Sequence, residues 1–179
     1  SPVNSKNMTS NDATDADAYE GQEWLAYMEA EDQTAGYDFA SALGVELLTM
    51  RALEVDSLIN YGSIPVESDT GSNNATTTVT NLGNTPINVD VAATDLSDGA
   101  SSYIPASQQK VATSTFTYTA CVSCFALSST TPVTLGLNLT KPSVENPPVD
   151  TEVYWGIAVP FGTSNSTHSG LNTFTAIGI

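Results

Sequence analysis

Basic side chains are scarce in this sequence. Its 179 residues include 4 lysine and arginine residues against 20 aspartate and glutamate residues, so the formal net charge is −16. The bases stand singly at Lys6, Arg51, Lys110 and Lys141 and form no basic run. Nucleic acids and anionic lipid surfaces are bound by clustered lysine and arginine. The composition therefore argues against a nucleic-acid partner.

Long apolar runs and a leader segment are also missing. No run approaches the roughly 18 residues that a transmembrane helix needs, so we predict no membrane insertion. We find no secretory signal peptide, and the sequence starts abruptly at Ser1. We expect such a start in a processed secreted protein, and we predict an extracellular or cell-surface location.

Ser, Thr and Asn dominate the polar positions and create four Asn-x-Ser/Thr sequons. Together they favour a glycosylated surface protein. The candidate glycosylation sites are Asn7, Asn74, Asn138 and Asn165.

Cysteine and histidine are nearly absent, which limits metal and redox chemistry. The two cysteines form Cys121-Val-Ser-Cys124, and His168 is the one histidine. A structural zinc site needs four ligands, which argues against zinc. A redox-active pair is expected at a helix start in a βαβ unit, whereas the flanks TSTFTYTA and FALSS are typical of strands. We therefore predict a local disulfide that closes a tight turn or bulge.

The sequence offers few convergent groups for catalysis. Acid–base and nucleophilic mechanisms need titratable groups brought together. His168 stands in the polar turn TSNSTHSG beside Ser169, and we interpret it as an exposed loop residue rather than a general base. Asp90, Asp95 and Asp98 are candidates for a glycosidase pair, but no aromatic residues surround them in the sequence. We predict that the protein is not an enzyme.

From residue 45 onward, the pattern is that of β-strands. Segments 87–94 and 151–162 alternate apolar and polar residues, which predicts strands with one buried face. The turn sequence NLGNTP before residue 87 predicts a β-hairpin. Further strands are predicted at 75–83, 108–120, 131–142 and 170–179. We predict an all-β fold, a two-sheet β-sandwich of jelly-roll or immunoglobulin-like topology, whose strand order stays open.

Between residues 22 and 50 two interpretations stay open. Residues 22–32 alternate as a strand would, but Trp24, Tyr27 and Met28 also share one face of a helix, and Glu, Ala, Leu and Met favour helices. We interpret 22–32 as a strand and keep one short helix between residues 22 and 50 as the alternative.

Acidic residues are concentrated in the first third of the chain, where 12 of the 20 lie within residues 1–60. Self-repulsion of this size needs counter-ions, which a divalent metal can supply. No cofactor is required, but Ca²⁺ is a candidate ligand. The candidate calcium ligands are Asp15, Asp17, Glu20, Asp95 and Asp98. The first three depart from an EF-hand loop, which requires glycine where Glu20 stands.

A row of exposed aromatic residues would indicate carbohydrate binding. Trp155 and Phe174 are predicted to face the core, while Tyr118 and Tyr154 are candidates to point outward. Two rings do not make a platform, so glycan binding is the alternative function.

Residues 1–32 form a polar N-terminal arm. Its first 22 residues have few sizeable apolar side chains and cannot recover their ordering entropy by packing on their own fold. Such a backbone can be ordered by pairing with an open sheet edge. When the acceptor is a neighbouring subunit, the contact is head-to-tail and builds a filament. The arm residues assigned to this contact are Val3, Met8, Tyr19, Trp24 and Met28.

Three segments, NLGNTPINVDV, VYWGIAVPFGT and SGLNTFTAI, resemble segments of secreted β-sandwich surface proteins. A polar arm followed by an acidic sandwich is similar to the TasA-like filament subunits, the archaeal bundling pilins and the cannula subunits, and the start SPVNS also resembles the cannula proteins. The low lysine content departs from the cannula pattern. The resemblance covers roughly residues 45–179 and implies jelly-roll subunits joined by donor strands, often with calcium at interfaces.

These observations lead to one functional prediction. Residues 1–32 are the candidate donor arm, and residues 33–179 are the sandwich domain. The protein is expected to be a structural subunit of an extracellular filament, tube or surface lattice, with itself as partner. The alternative is a monomeric adhesin or glycan-binding surface module.

Overall fold

The computed structural model of the protein describes residues 27–34, 36–42, 49–142 and 149–179. Within these ranges its regular structure is almost entirely β. The strands are β1 Tyr27–Glu31, β2 Tyr37–Ser41, β3 Leu53–Val55, β4 Ser68–Asp69, β5 Ala75–Asn81, β6 Ile87–Ala93, β7 Leu96–Ser97, β8 Tyr103–Ile104, β9 Gln109–Ala112, β10 Phe125–Ala126, β11 Val133–Thr134, β12 Asp150–Val159 and β13 Asn172–Gly178. One 3-10 turn, Ala106–Gln108, joins β8 to β9.

Two antiparallel sheets make the body of the fold. The first runs in the order β10-β9-β12-β5-β3, with β4 also paired to β12, and the second runs β11-β6-β13. The strands β7 and β8 form a small separate ladder. The predicted all-β sandwich is confirmed.

The core lies between the inner faces of these sheets. The strand β6 alternates buried and half-buried residues along its whole length, as its sequence predicts. The fully buried apolar residues of the two sheets are Val79, Val111, Val153 and Trp155 on the first and Ile87, Val89 and Val91 on the second. Each such side chain contributes roughly 1.5–3 kcal/mol when it leaves water. Phe174 of β13 packs edge-on against the Trp155 ring at 5.7 Å, so both rings face inward as predicted.

The predicted hairpin between β5 and β6 is wrong. The two strands lie in opposite sheets, so residues 82–86 carry the chain across the core. The buried side chain of Asn81 holds this crossing: its amide nitrogen donates to the carbonyls of Thr85 and Thr140, each at 3.0 Å, and its oxygen accepts the Gly83 N–H at 2.9 Å. These side-chain bonds stand where a hairpin would have a backbone ladder.

The predicted strand 108–120 is too long. Strand β9 ends at Ala112, and the irregular segment that follows folds over the sheet. Tyr118 is buried in this segment rather than pointing outward, and its hydroxyl donates to the Gln108 carbonyl at 2.9 Å. Lys110 lies 4.3 Å from the centre of the same ring, which is a cation–π contact.

The strands β1 and β2 pair as an antiparallel hairpin, from Tyr27 opposite Ser41 to Glu31 opposite Tyr37. The strand interpretation is confirmed for this part of 22–32. The described residues between 22 and 50 contain no helix, while residues 22–26, 35 and 43–48 lie outside the description. Asp32 closes the turn by accepting the N–H groups of Gly36 at 2.9 Å and Thr34 at 2.7 Å. The predicted domain boundary at residue 32 falls inside this turn.

Asp32 remains charged through these contacts. The Gly36 N–H and then the Thr34 hydroxyl and N–H stabilise the carboxylate, which lowers the pKa of Asp32. Both strands of the hairpin are exposed along their whole length. A two-stranded hairpin alone is marginally stable in water.

Candidate functional site

A groove of about 970 Å³ opens beside β13. One wall is the irregular segment 55–66 between β3 and β4, and the other is the segment 163–172 that leads into β13. The floor is a small apolar cluster of Leu96, Ile104, Ile157 and Val159. Leu58 on the first wall is 70 % exposed, so an apolar side chain stands at the groove in contact with water.

The strand β13 is the last strand of its sheet among the described residues, and its second edge has no partner there. The Thr94 N–H donates to the Leu171 carbonyl at 2.9 Å, and this pair continues the register of β13 with β6. Backbone groups alternate in direction along an antiparallel strand. The backbone groups of residues 172, 174, 176 and 178 therefore point toward the open edge.

A buried glutamine beside the floor of the groove bonds residues of both walls. The Gln109 amide oxygen accepts the Tyr61 hydroxyl at 3.0 Å and the Asn172 amide at 3.4 Å, and its nitrogen donates to the Thr94 carbonyl at 3.3 Å. Burial raises the pKa of the Tyr61 hydroxyl above its usual range, with a smaller contribution from Tyr118. The hydroxyl therefore stays neutral and donates, which fixes the wall segment to β9 and β13.

Two loops at the rim of the groove are joined through a carboxylate. Asp98 Oδ1 accepts the N–H groups of Ala100 at 2.9 Å and Ser102 at 3.1 Å, and its Oδ2 accepts the Ser164 hydroxyl at 2.8 Å. These bonds, with the Ala100 N–H as the largest cause, lower the pKa of Asp98 to about 2. The Asp98 carboxylate is thus an anchor for the 163–172 wall.

The single histidine lies in the same rim, against a serine that sequence reasoning did not select. His168 Nε2 is 3.1 Å from Ser102 Oγ, and His168 Nδ1 is 3.0 Å from the Ser166 carbonyl. In a catalytic triad, a carboxylate accepts the Nδ1 proton. Here the Ser166 carbonyl occupies that place, and Ser169 pairs through its backbone with Ser97. The His168 contacts join the loop that contains Ser102 to the 163–172 wall, and they do not form the serine–histidine–carboxylate chain of a catalytic triad.

The groove carries little charge compared with the rest of the protein. Among its described lining residues, the acids and bases are Asp56 and His168. Asp56 Oδ2 accepts the Thr78 N–H at 2.7 Å. A second acidic molecule meets less repulsion here than at the acid-rich parts of a chain of net charge −16.

The hairpin β1–β2 presents a second surface, which we call the aromatic face. It consists of the side chains that the register places on one side: Tyr27, Glu29, Glu31, Tyr37, Phe39 and Ser41. The rings of Tyr27 and Phe39 lie 6.1 Å apart with planes inclined by 26°. The three aromatic residues are 61 %, 64 % and 70 % exposed. Sequence reasoning missed this face because it considered residues 22–32 and 37–50 separately, whereas pairing brings them together.

The other predicted site residues are distributed over the surface. Cys121 and Cys124 form a disulfide. Asn138 and Asn165 are exposed. Asn74 is half-buried, and its side-chain oxygen accepts the Phe116 N–H at 2.9 Å. Asn7 lies outside the described residues.

The predicted calcium ligands are not assembled into a site by the part of the chain that the structure describes. Asp95 accepts the Ala106 N–H at 2.7 Å, and Asp98 holds the rim. In the described ranges, no group of three or more His, Cys, Asp or Glu residues could hold a metal ion. Asp15, Asp17 and Glu20 lie outside these ranges.

Met28 is the one predicted contact residue of the arm that the structure describes. It lies on β1, 68 % exposed, on the side opposite the aromatic face. The other predicted contact residues, Val3, Met8, Tyr19 and Trp24, lie outside the described ranges. No helix in the described ranges is long and apolar enough to cross a membrane.

The fold is an all-β sandwich in which one sheet edge has no partner among the described residues and borders a groove with an apolar floor. Comparisons with protein-family models, with curated proteins and with solved structures find no match to this chain.

Proposed function

We propose that the protein is a structural subunit of an extracellular filament, tube or surface lattice. In this proposal, the N-terminal arm of one copy adds a strand to the sandwich of the next copy. The observation that carries the proposal is the second edge of β13, which has no partner among the described residues and borders the groove.

An added strand would satisfy both features of this surface. Its backbone would pair with the groups of residues 172, 174, 176 and 178, and its alternate side chains would enter the groove above Ile157 and Val159. Strand addition takes its affinity from main-chain hydrogen bonds and its specificity from pockets for alternate side chains. An arm of Ser, Thr, Asn and Ala has small side chains suited to such a pairing.

A second copy of the chain is the partner in this proposal. The groove lining has Asp56 as its one acid among the described residues, so it repels an approaching acidic chain less than the acid-rich parts of the protein do. The donor arm and the acceptor edge are different surfaces, so the contact is heterologous and propagates. Calcium remains a proposed counter-ion for the remaining charge.

An extracellular location belongs to the same proposal. The Cys121–Cys124 disulfide is a bond that persists in oxidising compartments. The exposed asparagines Asn138 and Asn165 are accessible to glycosylation.

The test is assembly of the full chain, observed by electron microscopy and light scattering with and without calcium. Leu58→Glu places a charge on the groove wall, where the native side chain is exposed, so we expect a folded protein that no longer assembles. Val122→Glu is the matched control, because Val122 is fully exposed in the disulfide loop. Deletion of residues 1–21 should give the same monomer as Leu58→Glu. Assembly of both variants at the level of the native chain would refute the proposal.

The alternative is a monomeric adhesin or glycan-binding surface module. The aromatic face of β1–β2 supports it, because exposed rings can stack on sugars. This alternative predicts an intact chain that stays monomeric at all concentrations and binds neutral glycans.

A further inference from the structure

The aromatic face places two carboxylates of β1 opposite two rings of β2. In the register of the hairpin, Glu29 stands opposite Phe39, and Glu31 stands opposite Tyr37. Directly opposed side chains on one face of a sheet lie within about 5.5 Å between their Cβ atoms. Phe39 and Tyr37 therefore each have a carboxylate as cross-strand neighbour, whereas the third exposed ring, Tyr27, stands opposite Ser41. The sequence of residues 27–41 contains no lysine, arginine or histidine.

We propose that the aromatic face binds an arginine-rich segment of another protein. A guanidinium group stacks on an aromatic ring and donates paired hydrogen bonds to a carboxylate. The cross-strand pairing of Glu29 with Phe39 and of Glu31 with Tyr37 supplies both contacts at neighbouring positions. Charge complementarity selects this occupant, because the face and its strands carry acids without bases.

A second copy of this chain is a poor source of such a segment. The sequence has four bases, none adjacent to another. Lys110 is engaged with Tyr118, where its Nζ donates to the Tyr118 carbonyl at 2.9 Å. The Arg51 guanidinium packs against Gly178. The partner is therefore a different molecule, and the inference stands independently of the assembly groove.

The test is the dissociation constant of a fluorescent oligo-arginine peptide for the full chain, measured by anisotropy. The measurement is made at about 0.15 M salt, where the Debye length is about 8 Å, so that attraction between the peptide and distant charges of the protein is screened. Tyr27→Ala with Phe39→Ala removes two rings at constant charge, and we expect binding to weaken about tenfold. Glu29→Gln with Glu31→Gln keeps the rings, so it tests the face even if the first variant disturbs the hairpin.

The control removes the same charge elsewhere. Glu54→Gln with Asp150→Asn neutralises two exposed acids on β3 and β12, and it should change the affinity less than twofold. Equal weakening by this control and by the Glu29 and Glu31 variant would overturn the proposal, since net charge alone would then explain binding. Unchanged affinity after loss of both rings would also overturn it. The proposal would also be overturned if binding of a neutral oligosaccharide, or self-association of the chain, depended on the rings while binding of the peptide did not.

Discussion

Replacing Thr77 with valine tests the packing that supports the open edge. The Trp155 indole N–H donates to Thr77 Oγ1 at 2.8 Å, and both residues are buried. Trp155 in turn contacts Phe174, a lining residue of the groove. Valine has nearly the shape of threonine, so the substitution removes the hydrogen bond without creating a cavity.

The expected loss follows from the unpaired donor. A buried polar group without a partner costs about 1–3 kcal/mol, and the added methyl recovers at most about 0.8 kcal/mol. We therefore expect the free energy of unfolding to fall by about 1–2 kcal/mol. Urea unfolding followed by circular dichroism measures it, with an unchanged dependence on urea concentration.

The control and the double variant isolate the bond. Thr76→Val changes an exposed neighbour on β5 and should stay within about 0.5 kcal/mol of the native chain. Trp155→Phe removes the donor, so Thr77→Val in that background should cost little further. Equal effects of Thr76→Val and Thr77→Val, or additive effects in the double variant, would refute the role of the hydrogen bond.

Three further predictions concern the rim, the crossing and the charge. The pKa of Asp98 falls from 3.8 to about 2 on folding. The stability that this shift contributes is therefore complete above pH 3.8 and is lost as the pH falls toward 2. Asp98→Asn should abolish this part of the acid-induced fall in melting temperature. In Gly83→Ala, the new Cβ would collide with the Met50 carbonyl oxygen, so urea unfolding should show a loss of about 1–3 kcal/mol. Raising salt from about 0.05 to 1 M should raise the melting temperature, because it screens a net charge of −16; an unchanged value would contradict self-repulsion.

Much of the local structure could be predicted from the sequence. The alternation in β6 and β12 identifies the buried faces correctly, because a strand turns successive side chains to opposite sides whatever its neighbours are. The inward positions of Trp155 and Phe174 follow from the same rule. Strand length was harder: β9 ends eight residues before the predicted strand does, because Tyr118 folds back to bond the Gln108 carbonyl.

The candidate sites depended on pairing that no local pattern contains. The sequence places Ser169 beside His168, whereas the structure brings Ser102 there, 66 residues away. The aromatic face likewise requires β1 and β2 to meet, since Tyr27 and Phe39 are adjacent only after pairing.

The all-β class, the buried face of the main strands and the acidity of the chain follow from the residues alone, because they depend on local alternation and composition. Which sheet each strand joins depends on contacts between distant segments, which the fold reveals. The strands β5 and β6 read as a hairpin, but the buried Asn81 side chain binds carbonyls of two separate segments and turns the chain across the core. Among the described residues β13 is the last strand of its sheet, and its second edge borders the groove, because pairing between distant segments sets the strand order.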